Sequence, residues 1–122
     1  MSNIRKHYYN LKINFRFLTQ IIGFILIPCS IKLMKSKDKV QFSYENGKYL
    51  ILSSAFLRSA SPSSENKKHA RNPDFNRFKS VKILNLEKVG NYAIRFFFND
   101  NHSTGIYSWD YIIEIGKLSQ NS

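Results

Sequence analysis

Val89-Gly90-Asn91-Tyr92-Ala93-Ile94-Arg95-Phe96-Phe97-Phe98-Asn99-Asp100-Asn101-His102-Ser103-Thr104-Gly105-Ile106-Tyr107-Ser108-Trp109 alternates turn signals with apolar runs. Val89 to Tyr92 reads as a tight turn, because glycine and asparagine tolerate positive φ. Tyr92 to Phe98 reads as a very apolar strand with Tyr92, Ile94, Phe96 and Phe98 on one face. Asp100-Asn101-His102 turns the chain again, and Gly105 to Tyr107 forms a short third run. Ser108 is placed to cap a helix over Trp109 to Ile115, with Asp110 in its first turn where the helix dipole favours an acid. Gly116 then reads as its stop. Strands this close in sequence pair antiparallel, since a parallel connection needs a dozen or more residues.

Outward from this stretch, Val81, Ile83, Leu84 and Leu86 mark a preceding strand. Near the other end, Ile31 and Leu33, then Val40, Phe42 and Tyr44, alternate as half-buried strands do. Asn46-Gly47 signals a two-residue hairpin, and Tyr49 to Leu52 is its return strand. Ser53 caps a short helix over Ser54 to Ser59, with Phe56 and Leu57 facing inward. Residues 59–80 are rich in Ser, Asn, Lys and Pro and follow no period, a longer loop than compact domains usually carry. The expected fold is α+β: a small twisted, mostly antiparallel sheet of five to six strands with two short helices. The aromatic residues Tyr92, Phe96, Phe98, Tyr107 and Trp109 are its expected core.

The chain has 122 residues, 43% hydrophobic and 15% aromatic, with a net charge of +11. That is one small domain, too short for a barrel enzyme and too apolar to be disordered throughout. One cysteine, Cys29, excludes an internal disulfide and any cysteine-only zinc site. Excess Lys beside Asn, Ile, Phe and Tyr is what the coding bias of an AT-rich genome produces. The alternative is a polyanion-binding surface of Lys67, Lys68, Arg71, Arg77 and Lys79, although no nucleic-acid-binding motif accompanies these residues. The apolar core Ile21 to Ile27 is far shorter than the ~20 residues a membrane span needs. Pro28 and Cys29 occupy the place where a signal-peptide cleavage site would want small residues. The expected location is cytoplasmic, with no transmembrane span.

Two blocks carry a family resemblance. Val89-Gly90-Asn91-Tyr92-Ala93-Ile94 and His102-Ser103-Thr104-Gly105-Ile106-Tyr107-Ser108-Trp109-Asp110-Tyr111 form one. Leu57-Arg58-Ser59-Ala60-Ser61-Pro62-Ser63-Ser64-Glu65 followed by His69 forms the other, close to a pattern of the family's bacterial members. Together they resemble the gamma-butyrobetaine hydroxylase-like N-terminal domain family in its stand-alone form. The resemblance covers residues 28–118. It leaves 119–122 as a tail and 1–27 as a basic, apolar extension. For that extension an upstream-assigned start, a loosely attached segment and a targeting or membrane-surface anchor are the alternatives.

The resemblance implies an accessory domain and no enzyme, since the oxygenase chemistry of the large hydroxylases lies in a separate domain. Related domains are also joined to P-loop ATPases that carry iron–sulfur clusters. The implied function is therefore protein interaction linked to metalloprotein or iron–sulfur pathways, with an iron–sulfur carrier or metalloenzyme as partner and nucleic acid disfavoured. In a zinc-bearing branch, a Cys-Pro-Cys-x-x-Cys run and a histidine supply four ligands. Here that run aligns with Ser61 to Asn66, all three cysteines are absent, and His102 keeps the histidine's place.

No cofactor is certain on this reading, with iron or zinc as the possible metals. His69, Glu65 and His102 could form a two-histidine, one-carboxylate set of the kind that suits Fe(II). The bland alternative makes His102 a turn residue and His69 a solvated one. Ser61, Ser63 and Ser64 near two histidines lack the glycine-flanked elbow of a hydrolase nucleophile. Arg58, Asn91, Tyr107 and Asp110 are the candidate interaction surface, with Arg58 and Arg95 expected to pair with Asp110 or Glu87.

Overall fold

The computed structural model describes residues 26–66 and 76–121. Within them the order is β1 (Ser30–Leu33), β2 (Lys39–Ser43), β3 (Tyr49–Ser53), α1 (Ser54–Ser59), a 3-10 turn (Ser64–Asn66), β4 (Ile83–Val89), β5 (Ala93–Phe98), β6 (Ile106–Ser108) and α2 (Trp109–Asn121). The α+β content is as expected. The single sheet is not: the strands form two three-stranded antiparallel sheets, β1-β2-β3 and β4-β5-β6. Each set of three neighbours in sequence pairs only with itself. The halves are stitched instead by single bonds, Ile83 N to Lys37 O at 2.9 Å and Ser54 Oγ to Val81 O at 2.5 Å.

Both sheets contribute to one core. Val40, Phe42 and Leu52 from the first sheet join Ile83, Leu86, Ile94, Phe96 and Tyr107 from the second, with Trp109, Ile112 and Ile115 of α2. Phe42 and Phe96 meet edge to face at 6.5 Å across the sheets, and Phe96 meets Tyr107 likewise at 5.0 Å. This is the arrangement the ring quadrupoles favour. Phe56 and Leu57 of α1 point inward as expected, and Ser53 accepts from Phe56 N at 3.1 Å. Ser108 caps α2 in the same way through Tyr111 N, at 3.1 Å.

Three local expectations are corrected. The Asn46-Gly47 hairpin is one residue longer than a two-residue turn. Gly47 N donates to Tyr44 O and Tyr44 N to Lys48 O, with only Gly47 of the loop at positive φ. That is a turn followed by a glycine in the left-handed region, the usual three-residue loop. Tyr92 leaves the core and is 60% exposed, because β5 begins one residue later. Helix α2 runs through Gly116 to Asn121, so it is a 13-residue element. Gly116 is buried within it, and a Cβ there would lie 2.6 Å from Leu50 Cδ2. Glycine at this position permits close approach of helix and strand β3; it does not end the helix.

Candidate functional site

Helix α1 has six residues, too few for its last carbonyls to find partners within it. The next backbone amides and side chains from other segments supply them. Phe56 O accepts from Ala60 N, and Arg58 O from Ser61 N. The Tyr107 hydroxyl donates to Leu57 O, and the Tyr111 hydroxyl donates to Ala60 O at 2.5 Å. Asn66 Nδ2 donates to Ser59 O at 2.9 Å and to Ser61 O at 3.0 Å. The two sequence blocks thus meet here: Leu57–Asn66 provides the acceptors, and β6 with the start of α2 provides the tyrosines.

Beneath this lattice lies a buried cluster. Ser61 Oγ and His102 Nε2 share a hydrogen bond at 2.7 Å. Ser63 Oγ is 3.5 Å from the same nitrogen and 3.5 Å from Ser61 Oγ. Ser61, Ser63, Asn66 and His102 are all buried. Gly105 closes one side, because a Cβ there would fall 2.1 Å from Ser61 Oγ. Tyr107 packs against the cluster, and burial raises its phenol well above the ordinary range, partly offset by a hydrogen bond to Ser61.

Arg58 fastens the rim. Its Nε donates to Asp100 Oδ2 at 2.8 Å, and its Nη1 donates to Asn66 Oδ1 at 3.1 Å. The guanidinium carbon lies 4.4 Å from the Phe78 ring centre, within cation–π range. Asp100 Oδ1 in turn accepts from His102 N at 3.2 Å. Asn101 takes the left-handed conformation in this turn, φ 68°, which asparagine tolerates. The Arg58–Asp100 ion pair and the Arg58–Asn66 bond together tie α1, the serine run and the β5–β6 turn.

Neutral hydroxyls and a carboxamide stand where thiolates would be needed, so the donor set does not fit structural zinc. Among the described residues, no group of three or more His, Cys, Asp and Glu is placed to hold a metal ion. Of the proposed iron set, His102 is described and its Nε2 is engaged by Ser61. The Glu65 side chain and His69 lie outside the described residues. The Ser61–His102 contact has the length of a nucleophile–base pair, and Ser61 is fully buried with its Oγ against Gly105.

The candidate interaction residues separate. Asn91 and Asp110 are exposed. Tyr107 is fully buried and contributes no surface, a correction that follows from its core position on β6. Arg58 is turned into the rim just described and pairs with Asp100, while Arg95 approaches Glu87 at 3.9 Å; neither pairs with Asp110. Lys67, Lys68 and Arg71 lie outside the described residues, whereas Arg77 and Lys79 are exposed. Sequence reasoning missed Asn66, Asp100, Tyr111 and the role of Gly105. Asn66 had a signal, since it occupies the third cysteine position of the aligned run.

A two-sheet α+β domain closed around a buried serine–histidine cluster is the class of protein that fold and site define. The model of the family described as "Gamma-butyrobetaine hydroxylase-like, N-terminal" matches residues 31–113. The chain belongs to this family. Its fold is similar to a crystal structure from Acidithiobacillus ferrooxidans, described as a protein of unknown function in the DUF971 family. That similarity has a TM-score of 0.61 at 22% identity, covering 74% of this chain and 92% of that one. Two solution NMR structures are similar at 30% and 31% identity, each with a TM-score of 0.60. They cover 80% and 81% of this chain and 77% and 78% of their own. No curated protein matches significantly.

Proposed function

We propose that this chain is a non-catalytic accessory domain that works by protein contact. The observation that carries the reading is the turn at Asn91–Tyr92. Trp109 Nε1 donates to Asn91 O at 2.9 Å and Trp109 N donates to Tyr92 O at 3.3 Å, so the turn is fixed to the start of α2. This presents an exposed aromatic ring beside Asn91 and the carboxylate-bearing first turn of the helix at Asp110. A rigidly held, exposed tyrosine with polar neighbours is the composition of an interface anchor. The buried cluster supports the same reading: its side chains hold the scaffold together through hydrogen bonds to one another.

The partner class we infer is a metalloprotein or an iron–sulfur carrier. It rests on the family's association with hydroxylases and iron–sulfur ATPases. The test is binding of the full chain to a purified candidate of that class, followed by titration calorimetry. Tyr92→Ala and Asp110→Asn should each weaken binding at least tenfold, with Tyr92→Ala leaving the thermal midpoint in place. Unchanged affinity in both variants would overturn the assignment of this face. Metal analysis of the same purified chain separates this reading from resident iron or zinc. About one metal per chain, lost in His102→Ala, would replace it.

A further inference from the structure

A groove of about 160 Å³ opens between the β2–β3 hairpin and α2. Leu26, Tyr44, Tyr49, Leu50, Ile113 and Gly116 line most of it. The absence of a side chain at Gly116 lets Leu50 approach the helix backbone and shapes the groove floor. Apolar groups here are left in water, Tyr49 at 63% exposure and Leu26 at 47%. The Tyr44 residue is buried, and its hydroxyl has no hydrogen-bond partner among the described residues. A buried hydroxyl left unpaired costs on the order of 1–3 kcal/mol.

We propose that the chain's own upstream run, Ile21-Ile22-Gly23-Phe24-Ile25, occupies this groove. Three observations favour that occupant over a separate molecule. Leu26, the next residue, already lines the groove. Cys29 N donates to Ser43 O at 2.7 Å, which pins the chain beside the end of β2, one residue from Tyr44. The segment therefore enters at the groove. Five extended residues reach roughly 16 Å, ample to cross it. The run is apolar apart from its glycine, which matches the lining, and the groove volume is on the scale of one large side chain such as Phe24. A backbone carbonyl of the run supplies the acceptor that the Tyr44 hydroxyl lacks. In this arrangement residues 21–25 complete the packing of the hairpin against α2.

The test is amide hydrogen exchange on the full chain, compared with an Ile22→Asp, Phe24→Asp variant. Protection over residues 44–50 and 113–117 should fall about tenfold in the variant, while the β4–β5 ladder keeps its protection as an internal control of folding. Equal exchange in the two proteins overturns the proposal. Protection in the wild-type chain should also hold over roughly a hundredfold dilution. Loss on dilution would assign the groove to a second copy of the chain. Protection of residues 21–25 that arises only with added anionic vesicles would assign the run to a membrane surface. Either result overturns the intramolecular reading.

Discussion

Ser61 Oγ lies 2.7 Å from His102 Nε2, across 41 residues of sequence, with both side chains buried. In the zinc-bearing branch that the sequence resembles, these two positions would carry a cysteine and a histidine ligand. A tetrahedral site with Zn–S of about 2.3 Å and Zn–N of about 2.0 Å sets its ligands about 3.5–3.8 Å apart. The separations of Ser63 from Ser61 and from His102 are both 3.5 Å. The Ser61–His102 separation is shorter, at the length of a direct hydrogen bond.

Introducing thiols at these positions should create a metal site. Ser61→Cys, Ser63→Cys, Asn66→Cys in one chain should take up about one zinc with tetrahedral thiolate–imidazole spectra on cobalt substitution. Adding His102→Ala should weaken that binding. The parent chain should take up none at this cluster in the same buffer. Failure of the triple variant to bind zinc would show that Asn66, held by Ser59, Ser61 and Arg58, cannot be exchanged without displacing the loop.

The tyrosine caps on α1 give a second prediction. Tyr107→Phe leaves Leu57 O buried without its donor and should cost about 1–3 kcal/mol by denaturant titration. Tyr111→Phe should cost less, because that ring is only half-buried. Burial raises both phenols, with Glu114 adding to the effect at Tyr111. A group whose folded pKa is raised lends stability that is complete below its unfolded value, near 10, and is lost as pH rises toward the folded value. Wild-type stability should thus decline above about pH 10, and Tyr107→Phe should decline less steeply there.

Much of the fold could be read before the structure. Alternation located β1, β2, β3 and β5, and Ser53 and Ser108 marked both helix starts. The clearest misreading arose where a residue's local preference was overridden by a neighbour remote in sequence. Gly116 reads as a stop until Leu50 is seen 2.6 Å from its virtual Cβ. Tyr92 reads as core until β5 is seen to begin at Ala93. The site was legible only in part for the same reason. The aligned serines and His102 could be named from the resemblance, but the carbonyls that Tyr107 and Tyr111 serve and the Arg58–Asp100 tie depend on contacts across about forty to fifty residues, which no local period records.

The two close-approach glycines should behave differently from the turn glycine. Gly105→Ala forces a methyl onto Ser61 Oγ, and Gly116→Ala forces one onto Leu50. Overpacking of this kind typically costs 1–3 kcal/mol. The double variant Gly105→Ala, Ser61→Ala removes the clashing hydroxyl and should recover part of that loss, a coupling a thermodynamic cycle measures directly. Gly47→Ala has open space around its Cβ but a φ of 84°. It should lose stability through backbone strain alone, with no rescue from any side-chain truncation nearby.

Arg58 carries the last prediction, since it is the residue on which three segments converge. Arg58→Ala removes the Asp100 ion pair, the Asn66 bond and the stacking on Phe78 together. Its side chain is 14% exposed and that of Asp100 30%, so the ion pair is shielded enough to resist salt more than a surface pair does. Lysine preserves the charge but has neither the planar face nor two donors fixed in one fork. Arg58→Lys should therefore restore only part of the stability lost in Arg58→Ala. The distinguishing measurement is exchange of the amides at Asn66, which bonds to Ser63 O, and His102, which bonds to Asp100 Oδ1. Both should quicken in either variant, while β2–β3 remains protected. Equal stability of Arg58→Lys and wild type would show that charge alone holds the rim, and that the fork and the Phe78 face are incidental.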